Sequence, residues 1–196
     1  MHYIIGVDEV GRGPIAGPVA VGAVVVAEEA MPELAERCEG FRDSKKLSEK
    51  KREEWSSRIK EYADQGLLRY TVSLIDAHYI DRAGIVPAIG HAASECLKSF
   101  KLDPNKCQVL LDRGITAPEE YADQKDIIKG DETELVIALA SIVAKVTRDR
   151  RMVEYASEYP NYGFEQHKGY GTSKHYEAVK NHGLTPIHRR SFMGRK

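Results

Sequence analysis

The stretch from Ile5 to Val26 limits the fold more than any other part of this chain. His2 to Val7 is an apolar run that reads as a buried strand, and Val19 to Val26, built of valine, alanine and glycine, reads as a second. Between them stand Gly11, Gly13, Pro14, Gly17 and Pro18. Proline has no backbone N–H and a fixed φ, so this segment cannot be a helix. It reads as a tight loop that brings the second strand back antiparallel to the first. At the end of the first strand stand two adjacent carboxylates, Asp8 and Glu9, with Arg12 between glycines just beyond.

Later elements extend this start. Arg69 to Ile75 reads as a third strand through Tyr70, Val72 and Leu74. Ser48 is placed to cap a helix over Glu49–Tyr62, and Pro87 sits at the first turn of a helix running to Phe100. Gln108 to Leu111 reads as a short buried strand that ends at Asp112. Asp126 to Lys129 reads as another, ending beside Gly130-Asp131. Glu132 to about Glu158 reads as one long helix, its first half apolar and buried. Thr172 to about Asn181 reads as a final short helix. The expected class is therefore α/β: a mixed five-stranded sheet, three antiparallel strands plus two parallel, flanked by helices. If the first strand lies between an antiparallel second and a parallel fourth, Asp8 and Asp112 leave the same sheet edge, and Asp131 joins them.

Near Tyr155–Tyr162 the chain turns aromatic, glycine-rich and basic. We expect a core over 1–156 and a small helical C-terminal extension over 157–196, lying across the site. The charge follows this division. Lys145–Lys196 holds 11 Lys/Arg against 5 Asp/Glu, and the other 144 residues hold 18 against 25, so the end is +6 and the body −7. An acidic body with a basic end suits metal-assisted work on a polyanion, although a solvated charged surface gives the same count. The three cysteines, Cys38, Cys96 and Cys107, lack metal-ligand spacing and read as free thiols in a reducing cytoplasm. No apolar run approaches ~18 residues, so neither a membrane span nor a signal peptide is expected.

Carboxylates gathered at strand ends repel each other unless cations lie between them, which is how a divalent-metal site for phosphate chemistry is built. Adjacent residues of a strand point to opposite faces, so Asp8 and Glu9 can share a metal only if the chain bends there. Two aspartates compete for a fourth place. On a continuous helix Asp131 and Asp149 would stand ~27 Å apart. Asp131 sits beside a strand end and is favoured, whereas Asp149 between Arg148 and Arg150 reads as a structural ion pair. Gly11, Arg12 and Gly13 read as backbone that approaches a substrate closely, with peptide N–H groups and the guanidinium gripping sugar and phosphate. A dinucleotide fingerprint is disfavoured because prolines and a strand follow. Tyr170, between glycines and near Lys168, is suited to lie against a sugar or base. Lys45 and Lys46, beside the Ser48 cap, suit backbone phosphate. His188 reads as a phosphate contact or a packed residue.

Taken together and in order, these stretches resemble the ribonuclease HII family. They are Gly6-Val7-Asp8-Glu9-Val10-Gly11-Arg12-Gly13-Pro14, Asp43-Ser44-Lys45-Lys46-Leu47, Val109-Leu110-Leu111-Asp112 and Lys129-Gly130-Asp131. Ala140 to Asp149, Tyr162 to Thr172 and His188-Arg189-Arg190-Ser191-Phe192 complete the series. The last of these resembles the bacterial form. The resemblance implies a ribonuclease H-like core and an endonuclease that cuts the RNA strand of RNA–DNA hybrids and at single ribonucleotides in duplex DNA. It implies Asp8, Glu9, Asp112 and Asp131 as catalytic ligands of two Mg²⁺ or Mn²⁺ ions, with 5′-phosphate and 3′-hydroxyl products. It also implies a Gly11-Arg12-Gly13 loop that reads the ribose 2′-hydroxyl and a Tyr170 that stacks on the following sugar. A monomer without an obligate protein partner is expected. Two other readings stay open: a nuclease or recombinase of the same fold acting on DNA only, and a non-catalytic hybrid-binding module.

Overall fold

A computed structural model describes residues 1–41 and 47–194. Its five strands are β1 (Tyr3–Val10), β2 (Val19–Ala27), β3 (Arg69–Ile75), β4 (Cys107–Asp112) and β5 (Gln124–Ile127), in the spatial order β3-β2-β1-β4-β5. β1 and β2 are antiparallel, as are β2 and β3, while β1–β4 and β4–β5 are parallel. This is the expected mixed sheet, with the first strand at its centre.

Helices cover both faces. α1 (Met31–Arg37) and α2 (Glu49–Asp64) precede β3, and α3 (Ala77–Ala83) and α4 (Ile85–Ser99) follow it. Ser48 does cap α2, accepting the Lys51 N–H at 3.3 Å. α4 closes one face, packing Ala88, Ile89, Ala92 and Leu97 against Ile5, Val7, Val21 and Val109. On the other face Val24, Val26 and Leu110 meet Ile137, Leu139, Ile142 and Val143. These last four belong to α6 (Leu135–Glu158). A Cβ on Gly6 would stand 2.2 Å from the Val136 carbonyl carbon, so the bare glycine lets this helix lie directly on β1. Ile137 is fully buried there, and its truncation to alanine would cost about 2–5 kcal/mol.

The long helix is shorter than expected. Gly130–Thr133 forms a separate turn, α5, and Glu134 is extended at φ −115°, ψ 116° before α6 begins. Asp131 therefore lies inside this turn and does not cap the long helix. The separation argued from a continuous helix does not apply. β5 also ends two residues earlier than expected, at Ile127. α1 and α3 carry no strong sequence signal and were not anticipated.

Beyond α6 come α7 (Phe164–His167), α8 (Ser173–His182) and α9 (Arg190–Met193). Their apolar centre is Tyr162, Phe164 and Ala178, closed by Met152 of α6 and by Ala16 of the loop between β1 and β2. No helix among the described residues is long and apolar enough to cross a membrane.

Candidate active site

Pairing decides how two neighbouring acids come to face one place. β1 stays in register with β2 as far as Val10↔Ala20, but its pairing with β4 ends at Val7↔Leu111. Asp8 and Glu9 thus lie where β1 has left β4 and is held on one side only. The Asp8 carboxylate accepts its neighbour's amide, Glu9 N–H to Oδ1, at 2.8 Å. Asp112 ends β4, and its Oδ1 accepts the Gly130 N–H at 2.9 Å. One ligand oxygen from each of Asp8, Glu9 and Asp112 falls within 4.8 Å of the others. Asp131 follows the residue whose amide holds Asp112, and it is buried, but it stands outside that group of three.

The electrostatics of the trio follow from burial. Loss of water pushes Asp8 up to about 8, the Glu9 and Asp112 charges push the same way, and a hydrogen bond from Ser141 opposes them. Burial also raises Glu9, with Arg12 pulling it down and Asp112 raising it again. Glu9 Oε2 is buried without a hydrogen-bond partner. Three crowded hard oxygens, with a bare Glu9 oxygen beside or among them, make a donor set fitted to a hard divalent cation.

The same pocket is lined by Gly11, Arg12, Gly13, Arg52, Ser141, Lys145 and Tyr170. Arg12 does not stretch toward solvent. Its Nε lies 3.0 Å from Glu9 Oε1, and its Nη2 donates to the Gly114 carbonyl at 3.3 Å. Gly13 is exposed, with the Tyr170 ring 4.0 Å from where its Cβ would stand, and Tyr170 is 45% exposed. Gly11 behaves otherwise. It is buried at φ +95°, and a Cβ there would meet Arg148 Nε at 2.2 Å. Both glycines line the pocket, and the first also leaves room for an internal arginine.

Lys45 and Lys46 lie outside the described residues. Asp149 does form an ion pair, but with Lys145 one turn back at 2.8 Å and not with the arginines beside it. Arg150 reaches Glu53, and Arg148 turns to backbone carbonyls. His188 is packed: its Nδ1 accepts the Thr185 N–H at 2.9 Å, and it is buried. Sequence reasoning missed Ser141, Lys145 and Arg52. Ser141 had a signal, as the one hydroxyl on the buried apolar stretch Val136–Val143. Lys145 follows it by one turn. Arg52, on a distant helix, had none.

A sequence model of the ribonuclease HII family matches residues 5–194. The chain belongs to the ribonuclease HII family. Its bacterial relatives include ribonuclease HII of Ruminiclostridium cellulolyticum, 49% identical over 98% of this chain and 70% of that one. Ribonuclease HII of Endomicrobium trichonymphae is 44% identical over 97% of this chain and 85% of its own. Among solved structures, the PCNA:RNase HII complex from Archaeoglobus fulgidus matches with a TM-score of 0.77 at 23% identity, over 100% of this chain and 97% of that chain. Bst-RNase HIII in complex with Mn²⁺ matches at 0.69 and 17% identity, over 97% and 67%. The fold is thus that of the type 2 ribonucleases H, and the ribonuclease HII family is one of endoribonucleases acting on RNA–DNA substrates. The acidic group in the pocket agrees with use of a divalent metal.

Proposed function

We propose that this ribonuclease HII cuts the RNA strand of RNA–DNA hybrids, incises at single ribonucleotides embedded in duplex DNA, and leaves 5′-phosphate and 3′-hydroxyl ends. The observation that carries the reading is one pocket holding the Asp8, Glu9 and Asp112 carboxylates beside Gly13 and Tyr170. In it, Asp8, Glu9 and Asp112 would hold Mg²⁺ or Mn²⁺, and Asp131 would complete the set from the turn whose first amide orients Asp112. Such ions, when bound, activate a water toward phosphorus and neutralise charge on the leaving oxygen. Ser141 donates to Asp8 and keeps one of its oxygens directed. Arg12 neutralises Glu9 and becomes available to a phosphate once a cation takes that role. The backbone at Gly11–Gly13 approaches the ribose, whose 2′-hydroxyl is the group that tells RNA from DNA at one position. Tyr170 stacks on the next sugar, and Lys45 and Lys46 supply phosphate contacts. The segment after residue 156 serves as the substrate-binding extension of a catalytic core over 1–156. The protein works as a cytoplasmic monomer.

The test is an incision assay with Mg²⁺ or Mn²⁺ on a labelled duplex carrying one ribonucleotide, beside an all-DNA duplex and a chelator control. Metal-dependent cleavage at the ribonucleotide alone is expected. Equal cutting of the all-DNA duplex, or tight binding without turnover, would overturn the reading.

A further inference from the structure

Arg148 and Arg189 are the two largest side chains that are completely buried, and neither forms an ion pair among the described residues. Each guanidinium faces carbonyl oxygens. Arg148 donates from Nε to Pro18 O at 2.9 Å, from Nη1 to Lys168 O at 3.0 Å and from Nη2 to Ala16 O at 3.4 Å. Arg189 donates from Nε to Gly17 O at 3.0 Å, from Nη1 to Arg12 O at 3.1 Å and from Nη2 to Gly11 O at 2.7 Å. The backbone N–H of Arg189 donates to Ile15 O at 2.8 Å. The carbonyls of Gly11, Arg12, Ile15, Ala16, Gly17 and Pro18 are all drawn inward by these two residues.

We propose that Arg148 and Arg189 are positioning residues that set the substrate-reading face of the 11–18 loop. With the carbonyls held at the back, the N–H groups of Arg12 and Gly13 are left without a partner among the described residues, at the pocket. Arg148 has a second effect. Its bond to Lys168 O ties the loop to the segment that carries Tyr170, so one planar fork sets the spacing between the ribose reader and the stacking ring. Two buried cations hydrogen-bonded to carbonyls behind the loop also favour an anion in front of it. The loss of water and the Arg148 charge both pull Arg189 below the usual guanidinium range, as two like charges sharing one seam require. The proposal rests on the loop and Tyr170 being the substrate readers.

Arg148→Lys and Arg189→Lys keep the charge and remove the fork, since an ammonium cannot span three carbonyls. Two readouts separate the ideas: amide hydrogen exchange, and kcat/KM on a lone-ribonucleotide duplex and on a long hybrid. In either variant, exchange at residues 15–17 should accelerate about tenfold or more while β1, β2 and β4 stay protected. Lone-ribonucleotide kcat/KM should fall by roughly 30-fold, mostly through KM, and further than activity on the hybrid. Unchanged loop exchange, protection lost equally across the core, or wild-type kcat/KM on both substrates would overturn the proposal. Gly11→Ala displaces Arg148 with both arginines present and carries the same test should the lysine variants not fold. Loop-restricted exchange then supports the clamp, and wild-type exchange sinks it. A wild-type protein that cuts neither substrate would end the ribonuclease reading, and the exchange measurement would still decide the clamp.

Discussion

At the pocket, Asp8 is buried and Glu9 and Asp112 are half-buried beside it, with Glu9 Oε2 left bare. At the back of the 11–18 loop, two guanidinium groups are fully buried, yet every arm of both reaches a carbonyl. Arg12 touches both regions, its side chain against Glu9 and its carbonyl against Arg189. The contrast separates a binding site from a support. Buried charge satisfied by the chain itself is a finished structure, since hydrogen bonds replace the lost water. Buried charge left short of partners is poised to take a partner from outside. A carboxylate set of this kind gains most from a cation that the chain does not supply.

The largest test of this contrast is Asp8→Asn. Cleavage should fall about 10²–10³-fold or more, the scale on which enzymes lose a group aimed at developing charge. The metal-free variant should meanwhile melt above the wild type at neutral pH, because the amide is buried without the proton uptake that Asp8 requires. Paired activity assays and thermal melts check both, and a lower melting temperature with normal activity would break the contrast.

Next in size is the pH dependence of stability without metal. The folded-state pKa of Asp8 is raised from 3.8 to about 8, so its contribution is complete below pH 3.8 and is lost as pH rises through 8. The shift of His175 is the reverse. Burial lowers it from 6.5 to about 4, so its contribution is complete above pH 6.5 and is lost as pH falls through 4. The histidine term is worth about 3 kcal/mol at most. Melts from pH 4 to 8 should show the alkaline loss disappear in Asp8→Asn or with Mg²⁺, and the acid loss persist. An acid loss that also vanished in Asp8→Asn would show that the two regions are not independent.

The smallest effect is that of Tyr170→Ala. Its ring is half exposed, so stability should change by less than about 0.5 kcal/mol. Lone-ribonucleotide incision should drop by roughly 5- to 150-fold, the equivalent of about 1–3 kcal/mol of stacking. Incision at the wild-type rate in steady-state assays would remove Tyr170 from the reading surface.

His2–Val7, the proline-broken loop and the valine run declared the centre of the sheet because strand periodicity and helix exclusion are local properties. Asp8 and Asp112 were legible as site residues for the same reason: each follows an apolar run with glycine nearby. The break at Glu134 was not legible, since no glycine or proline stands between 131 and 158 to mark it, and only packing against β1 and the Gly130–Asp112 bond select a separate turn. Nor was a second demand on Gly11, which lines the pocket and also makes room for Arg148.

By itself the order of residues determined the strands, the loop that cannot be helical and the acids at the strand ends, because neighbours along the chain fix these. Tertiary structure alone decided that Asp8, Glu9 and Asp112 share one pocket, and that two distant arginines hold one loop by its carbonyls. Those outcomes depend on desolvation and on contacts more than a hundred residues apart, which no local pattern encodes.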